Sequence, residues 1–245
     1  MPNILSRVIG RLAKTLDAES EPAPRTQCES RQDYQTRFRM TLREWLLHHQ
    51  QEIVFSKCSW MGVGTLKNPL DAWVYQEIIH EVKPDTIVEI GSYMGGATLY
   101  FAHLLDLMGN GTVVSVDIDR TRYEVEHDRI VTITGDSASQ EVVDQVAGYC
   151  DGKNVLVFHD GDHSRAQVKK DLAAYSKFVN VGSYFIVEDG IVDLFEPEES
   201  LGLDTDGPLA AVEEFLTRHP EFVVDRDRER YILTYNPKGF LRRVG

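Results

Sequence analysis

Thr86-Ile87-Val88-Glu89-Ile90-Gly91-Ser92-Tyr93-Met94-Gly95-Gly96 reads as a short β-branched strand that breaks into glycines and leads into an apolar helix through Leu99–Leu107. Glycines at such a point let the backbone turn sharply and come close to a ligand at the start of the next helix. The scheme repeats downstream. GTVVSVDID (111–119) and RIVTITG (129–135) read as the second and third strands. NVLVFHD (154–160) and SYFIVED (183–189) read as the fourth and fifth, with a helix over 164–178 between them. This alternation calls for a mainly parallel sheet with helices on both faces. The ending differs: EFVVDR (221–226) and RYILTYNP (230–237) are too close for a parallel crossover, which predicts an antiparallel hairpin.

Upstream of the first strand, Asn68 is suited to cap a helix that starts at Pro69 and carries Trp73, Ile78, Ile79 and Val82 at helical spacing. Residues 34–55 read as helical, with Phe38, Leu42, Trp45, Leu46, Ile53 and Phe55 as apolar anchors. Ile4, Leu5, Val8, Ile9, Leu12 and Leu16 outline an amphipathic helix, and the polar stretch ESEPAPRTQCESRQ (19–32) follows as a linker. The division expected is an arm and linker over 1–32 and one domain over 33–245. The arm is expected to dock on its own domain or on a second subunit, with a membrane surface as the alternative, and a homo-oligomer is expected.

The 245 residues carry 26 Lys+Arg against 39 Asp+Glu, a net charge of −13, so no basic footprint for nucleic acid exists. No run of apolar residues is long enough for a transmembrane helix. Arg7, Arg11 and Lys14 interrupt the apolar start, which makes a poor signal peptide. Cys28, Cys58 and Cys150 lack metal-ligand spacing and read as reduced thiols of a cytoplasmic protein.

Five parallel strands closed by an antiparallel pair resemble the layout of S-adenosylmethionine methyltransferases more than that of dinucleotide dehydrogenases. The glycine pattern agrees. It is G-x-x-x-G-G preceded by an acid, where a dinucleotide fingerprint would be G-x-G-x-x-G. In this reading Gly91, Ser92, Tyr93, Gly95 and Gly96 form the cofactor loop, and Glu89 faces the cationic aminoacyl end. Asp117, closing the second strand, is placed to accept hydrogen bonds from a ribose diol. Asp136 and Ser137, after the third strand, are placed to touch an adenine edge, although Ser137 also suits the cap of the next helix.

The acids are the strongest signal. The fourth strand runs into His159-Asp160-Gly161-Asp162-His163 and the fifth into Glu188-Asp189, so carboxylates gather at the ends of apolar strands where like charges repel. In a doubly wound sheet these ends converge on the switch-point crevice, with Asp160 also bordering the cofactor. Such a group needs a counter-charge, and an oxygen-rich set favours Mg²⁺ over zinc. The competing reading is a set of surface acids capping helices, with Asp162 ahead of the 164–178 helix. A cation acidifies a substrate hydroxyl, and His163 is suited to take its proton. His159, one residue inside the strand, reads as a packing residue.

These motifs resemble the family named for cephalosporin hydroxylases and rhamnosyl O-methyltransferases. The resemblance covers roughly residues 55–245 and includes Trp60-Met61-Gly62, Lys67-Asn68-Pro69-Leu70-Asp71, the 88–96 and 135–137 motifs, Asp160–Ser164, Val187-Glu188-Asp189 and Asn236-Pro237-Lys238-Gly239. It implies a seven-stranded Rossmann-like methyltransferase sheet with S-adenosylmethionine and Mg²⁺. It also implies Glu188 and Asp189 as metal ligands, with either Asp160 or Asp162 as the third carboxylate. The spacing in related catechol-type and macrolide-sugar enzymes gives Asp160 with His163 as base, whereas the cephalosporin-type spacing favours Asp162. The expected reaction is metal-assisted methylation of a hydroxyl on a sugar or glycosylated secondary metabolite of antibiotic type. The alternatives are an oxidoreductase or hydroxylase, nicotinamide-dependent or not, and a non-catalytic cofactor-binding homologue. Residues 60–71 are expected to fold over the cofactor and 190–207 to form a substrate lid.

Overall fold

The computed structural model describes residues 31–196, Glu199 and 206–245. The expected arm at 4–16 and, within the expected lid, residues 197–198 and 200–205 lie outside the described residues. The chain divides into two compact units, one ending at Cys58 and the other spanning Ser59–Gly245.

In the first unit the helix expected over 34–55 is broken. Helix α1 (Arg31–Arg37) stops, and α2 (Leu42–His48) begins afresh behind Thr41. The Thr41 hydroxyl accepts from the Glu44 amide while the Glu44 carboxylate accepts from the Thr41 amide, a reciprocal cap that starts a helix wherever it occurs. A π-helical turn (His49–Val54) and a short α3 (Phe55–Lys57) complete the unit.

The second unit holds, in chain order, β1 (Ser59–Trp60), β2 (Val63–Gly64), α4 (Pro69–Val82), β3 (Thr86–Ile90), α5 (Gly96–Met108), β4 (Thr112–Asp117) and β5 (Ile130–Thr134). There follow α6 (Gln140–Cys150), β6 (Val155–His159), α7 (Arg165–Tyr175), β7 (Tyr184–Val187), α8 (Pro208–Leu216), β8 (Phe222–Val224) and β9 (Phe240–Arg243). Strands β3 to β9 form one sheet in the order β5-β4-β3-β6-β7-β9-β8, the first five parallel and the last two antiparallel. The strands of the central pair, β3 and β6, run side by side from Thr86 opposite Val155 to Ile90 opposite His159. Every residue of both strands is buried.

Side-chain alternation along β3 sends Val88 and Ile90 into one core and Ile87 into the other. The first core joins the sheet to α6, α7 and α8 through Val142, Val146, Val168, Leu172 and Phe215. The second joins it to α4 and α5 through Tyr75, Ile78, Phe101 and Leu105. Helices therefore cover both faces, the doubly wound arrangement that the strand–helix alternation requires.

One arm of the terminal hairpin is corrected. β8 pairs with Phe240–Arg243, not with 230–237. Within 230–237, Thr234, Tyr235 and Asn236 are buried because they bond to α4. The Thr234 hydroxyl (2.6 Å) and Tyr235 amide (2.8 Å) donate to Asp71, and the Asn236 amide donates to the Tyr75 hydroxyl (2.6 Å). Left-handed backbone at Ile232 and Lys238 also prevents a continuous strand. The helix expected over 164–178 ends at Tyr175 and passes into a 3₁₀ turn, Ser176–Phe178.

At the N-terminus of α4, Asn68 accepts from the Leu70 amide and donates to Asp71, with Pro69 in the first turn as expected. Asp71 is thus a buried acceptor shared by Asn68, Thr234 and Tyr235. We predict that Asp71→Ala, which strands three buried donors, lowers stability by about 2–4 kcal/mol in urea unfolding.

Candidate active site at the carboxyl ends of the central strands

The glycine loop leaves β3 at Gly91, where φ is +88°. A Cβ at Gly91 would lie 2.1 Å from the Asp160 carbonyl oxygen, because the β6 exit passes directly over it. The Asp160 amide seals that crossing by donating to the Ile90 carbonyl (2.7 Å). Gly96 is equally confined, since a Cβ there would meet the Gly64 carbonyl at 2.3 Å. The β1–β2 hairpin therefore sits on the start of α5, next to the loop.

Asp117 holds this loop. One of its carboxylate oxygens accepts from the Ser92 amide (2.8 Å), the Tyr93 amide (3.0 Å) and the Ser92 hydroxyl (3.1 Å). The other accepts from the Asp119 amide at 3.1 Å. Arg120, which sequence reasoning missed, braces the loop from beneath. Its guanidinium donates to the Ser92 hydroxyl (2.7 Å) and to the Ser115 and Ile133 carbonyls, and it stacks on the Tyr123 ring. An arginine directly behind a strand-ending Asp-x-Asp was the available signal.

Glu89 does not stand in the open crevice. It is 1% exposed, it accepts from the Thr98 hydroxyl, and its Oε1 is buried without a partner. Burial pushes its carboxyl up to about 7, against the opposing pull of Thr98 and the Lys67 charge. Thr65 Oγ1, beside Gly96, is a second buried polar atom without a partner. Orphaned acceptors under a glycine turn suit a ligand that brings donors and positive charge.

On the expected adenine side, Asp136 is exposed and accepts from the Ala138 amide. The Ser137 hydroxyl is turned inward, donating to Asp171 (2.7 Å), whose other oxygen lies 3.0 Å from His159 Nε2. Ser139, not Ser137, caps α6. His159 is fully buried in that pair, consistent with a packing residue.

The acids converge next to Gly91. His163 Nε2 lies 3.3 Å from Asp160 Oδ1 and 3.3 Å from Asp189 Oδ2. One donor atom from each of Asp160, His163 and Asp189 falls within 4.8 Å of the others, a spacing suited to a shared cation. Asp162 is left outside. It is exposed, and its carboxylate accepts from the Ser164 amide ahead of α7, whose cap is Ser164. Glu188 is buried and turned toward Lys67, whose Nζ lies 2.7 Å from Glu188 Oε1 and also contacts Asp160 Oδ2. Lys67 belongs to the 67–71 motif, and nothing in the sequence places it among the acids.

Electrostatics follow from this packing. Burial works to raise the Asp160 carboxyl, but the charges and hydrogen bonds of Lys67 and His163 together outweigh it and hold the group at about 2. Burial pushes Glu188 upward against the same lysine. For His163, burial opposes the charge, yet hydrogen bonds to Asp160 and Asp189 prevail and raise the imidazole to about 10. Asp189 takes a left-handed backbone (φ 58°), and its amide donates to Asn236 Oδ1 at 3.1 Å.

Comparison with known proteins identifies the family. Residues 52–244 match the family described as rhamnosyl O-methyltransferase/CmcI. A rhamnosyl O-methyltransferase of Mycobacterium leprae (strain TN) is 30% identical over 198 residues, covering 78% of this chain and 85% of that protein. Its counterpart in Mycobacterium tuberculosis (strain ATCC 25618 / H37Rv) is 29% identical over 200 residues, covering 78% and 80%. A CmcI structure with Mg and SAM superposes with a TM-score of 0.64 at 22% identity, covering 98% of this chain and 95% of that one, and shares the fold. The chain belongs to the rhamnosyl O-methyltransferase/CmcI family.

Proposed function

We propose that this protein transfers a methyl group from S-adenosylmethionine to a hydroxyl of a sugar or glycosylated small molecule, assisted by Mg²⁺. The observation that carries the reading is the meeting of Asp160, His163 and Asp189 beside a glycine turn that the β6 exit overlies. Relatives named rhamnosyl O-methyltransferase support a sugar hydroxyl as the acceptor. A CmcI structure with Mg and SAM supports the donor and the metal. Within this class we favour a glycosylated secondary metabolite of antibiotic type. The buried thiol of Cys150 and the odd cysteine count support a cytoplasmic enzyme. No described helix is long and apolar enough to cross a membrane.

The reaction forms an O–CH₃ bond, breaks an S–CH₃ bond and releases one proton. Asp117 and Arg120 keep the 91–96 loop in the shape that receives the donor, and Asp117 remains the ribose candidate. Gly91 and Gly95, Asp136 and the backbone at Ser137 line the remainder of that end. Asp160 and Asp189, with Glu188 adjacent, would hold the metal. A divalent cation, when bound, supplies the positive charge that acidifies a nearby hydroxyl and fixes its oxygen. His163 takes the proton at Nε2. In the structure that nitrogen is shared by two carboxylates, so it serves as a base once those carboxylates are otherwise engaged.

Three expectations test the reading. In calorimetry S-adenosylhomocysteine binds and NAD does not, and Asp117→Ala weakens S-adenosylhomocysteine by about tenfold or more through loss of its charge-assisted hydrogen bonds. Methyl transfer to rhamnosides or macrolide glycosides stops in excess EDTA and returns with Mg²⁺. His163→Gln lowers kcat by about 10²–10⁴-fold while leaving S-adenosylhomocysteine affinity within about twofold. Full turnover in EDTA would remove the metal from the mechanism.

A further inference from the structure

Three carboxylates share one mouth, and among the described residues the two cationic side chains beside them are Lys67 and His163. The two cations are held differently. His163 belongs to the same strand exit as Asp160, three residues on. Lys67 reaches in from the segment before α4, and its position is set by the neighbouring cap, Asn68, and by the Asp71 bonds behind it. Its side chain is 7% exposed, and its ammonium touches Asp160 Oδ2 and Glu188 Oε1 together. Those are oxygens that a hard cation entering this mouth would seek. The two oxygens of Asp160 are thus divided, one given to Lys67 and one to His163.

We propose that Lys67 is a built-in counter-ion of the carboxylate mouth, a positioning residue that keeps Asp160 and Glu188 assembled without metal and competes with the divalent cation for their oxygens. The proposal rests on the metal reading above. It makes affinity for the metal a property set by a residue that is not itself a ligand. A unit positive charge within contact distance of two ligand carboxylates disfavours a dication strongly in a partly dry site. Removing it exposes two like charges to each other, which costs stability until a metal arrives.

The test compares the full-length protein with Lys67→Met, Lys67→Gln and Lys67→Arg, with Mn²⁺ as the probe. Near-UV circular dichroism identifies the variants that fold. Electron paramagnetic resonance or calorimetry measures the dissociation constant of Mn²⁺, and thermal melting is followed in EDTA and in Mn²⁺. The expected result is that the neutral variants bind Mn²⁺ about tenfold more tightly than the native chain. They also melt about 5 °C lower or more in EDTA and recover that loss in Mn²⁺. Lys67→Arg, which keeps the charge, stays within about threefold of native affinity. If Met misfolds, the smaller polar change to Gln carries the same comparison against Arg. Native binding of Mn²⁺ with unchanged or weaker binding by the neutral variants overturns this inference alone. No binding of Mn²⁺ by the native chain or any variant overturns the metal reading and the inference together.

Discussion

Carboxylates placed at the ends of buried strands repel one another, and the site of this protein is organised around that repulsion. Asp160, Glu188 and Asp189 emerge from β6 and β7, which are buried along their whole length and bonded in parallel register. The sheet leaves the acids little room to separate, since the Glu188 amide is itself bonded to the His159 carbonyl at 2.9 Å. Opposite charge has to come to them. Lys67 and His163 supply it from two directions, and the affinity of the site for any further cation is measured against theirs.

Keeping this crowded group in place requires support from distant parts of the chain. Asp71 binds Thr234 and Tyr235, and the next residue, Asn236, accepts from the Asp189 amide while donating to Tyr75. The first turn of α4 and the segment before β9 therefore fix the unusual left-handed backbone of Asp189. The same turn carries Lys67 on its leading edge. One buried polar network thus sets both an acid and its counter-charge, which explains why uncharged donors and acceptors survive in the core at Asn68, Thr234 and Asn236.

Much of the architecture could be read from residue pattern. The five parallel strands are short apolar runs flanked by glycine or charge, and their periodicity leaves few other folds available. The second hairpin arm was misplaced because Tyr231, Ile232, Thr234 and Tyr235 are of the β-branched and aromatic types that strands favour, while the burial of Thr234, Tyr235 and Asn236 comes from bonds to α4 that no local pattern reveals. Thr41 and Glu44 could have announced the break between α1 and α2, since their spacing is that of a reciprocal cap. The acids were legible because charge at the end of a buried strand is costly. Which of Asp160 and Asp162 turns inward was not, because Gly161 lets the chain go either way and the Ser164 amide claims Asp162. Lys67 was hidden for a different reason: it lies 93 residues from Asp160 and 121 from Glu188, so its role exists only after α4 has docked.

The crossing of Gly91 by the Asp160 carbonyl has a mechanical consequence. The glycine loop and the acid mouth are in backbone contact, so under the proposed function the distance between a methyl donor on one and a hydroxyl held by the other is a fixed dimension of the sheet. Acceptors of different shape must be accommodated by the connections that surround the crevice, leaving the gap across which the group travels the same. Diversification of this scaffold toward new sugars therefore has its freedom in the rim and almost none in the bore.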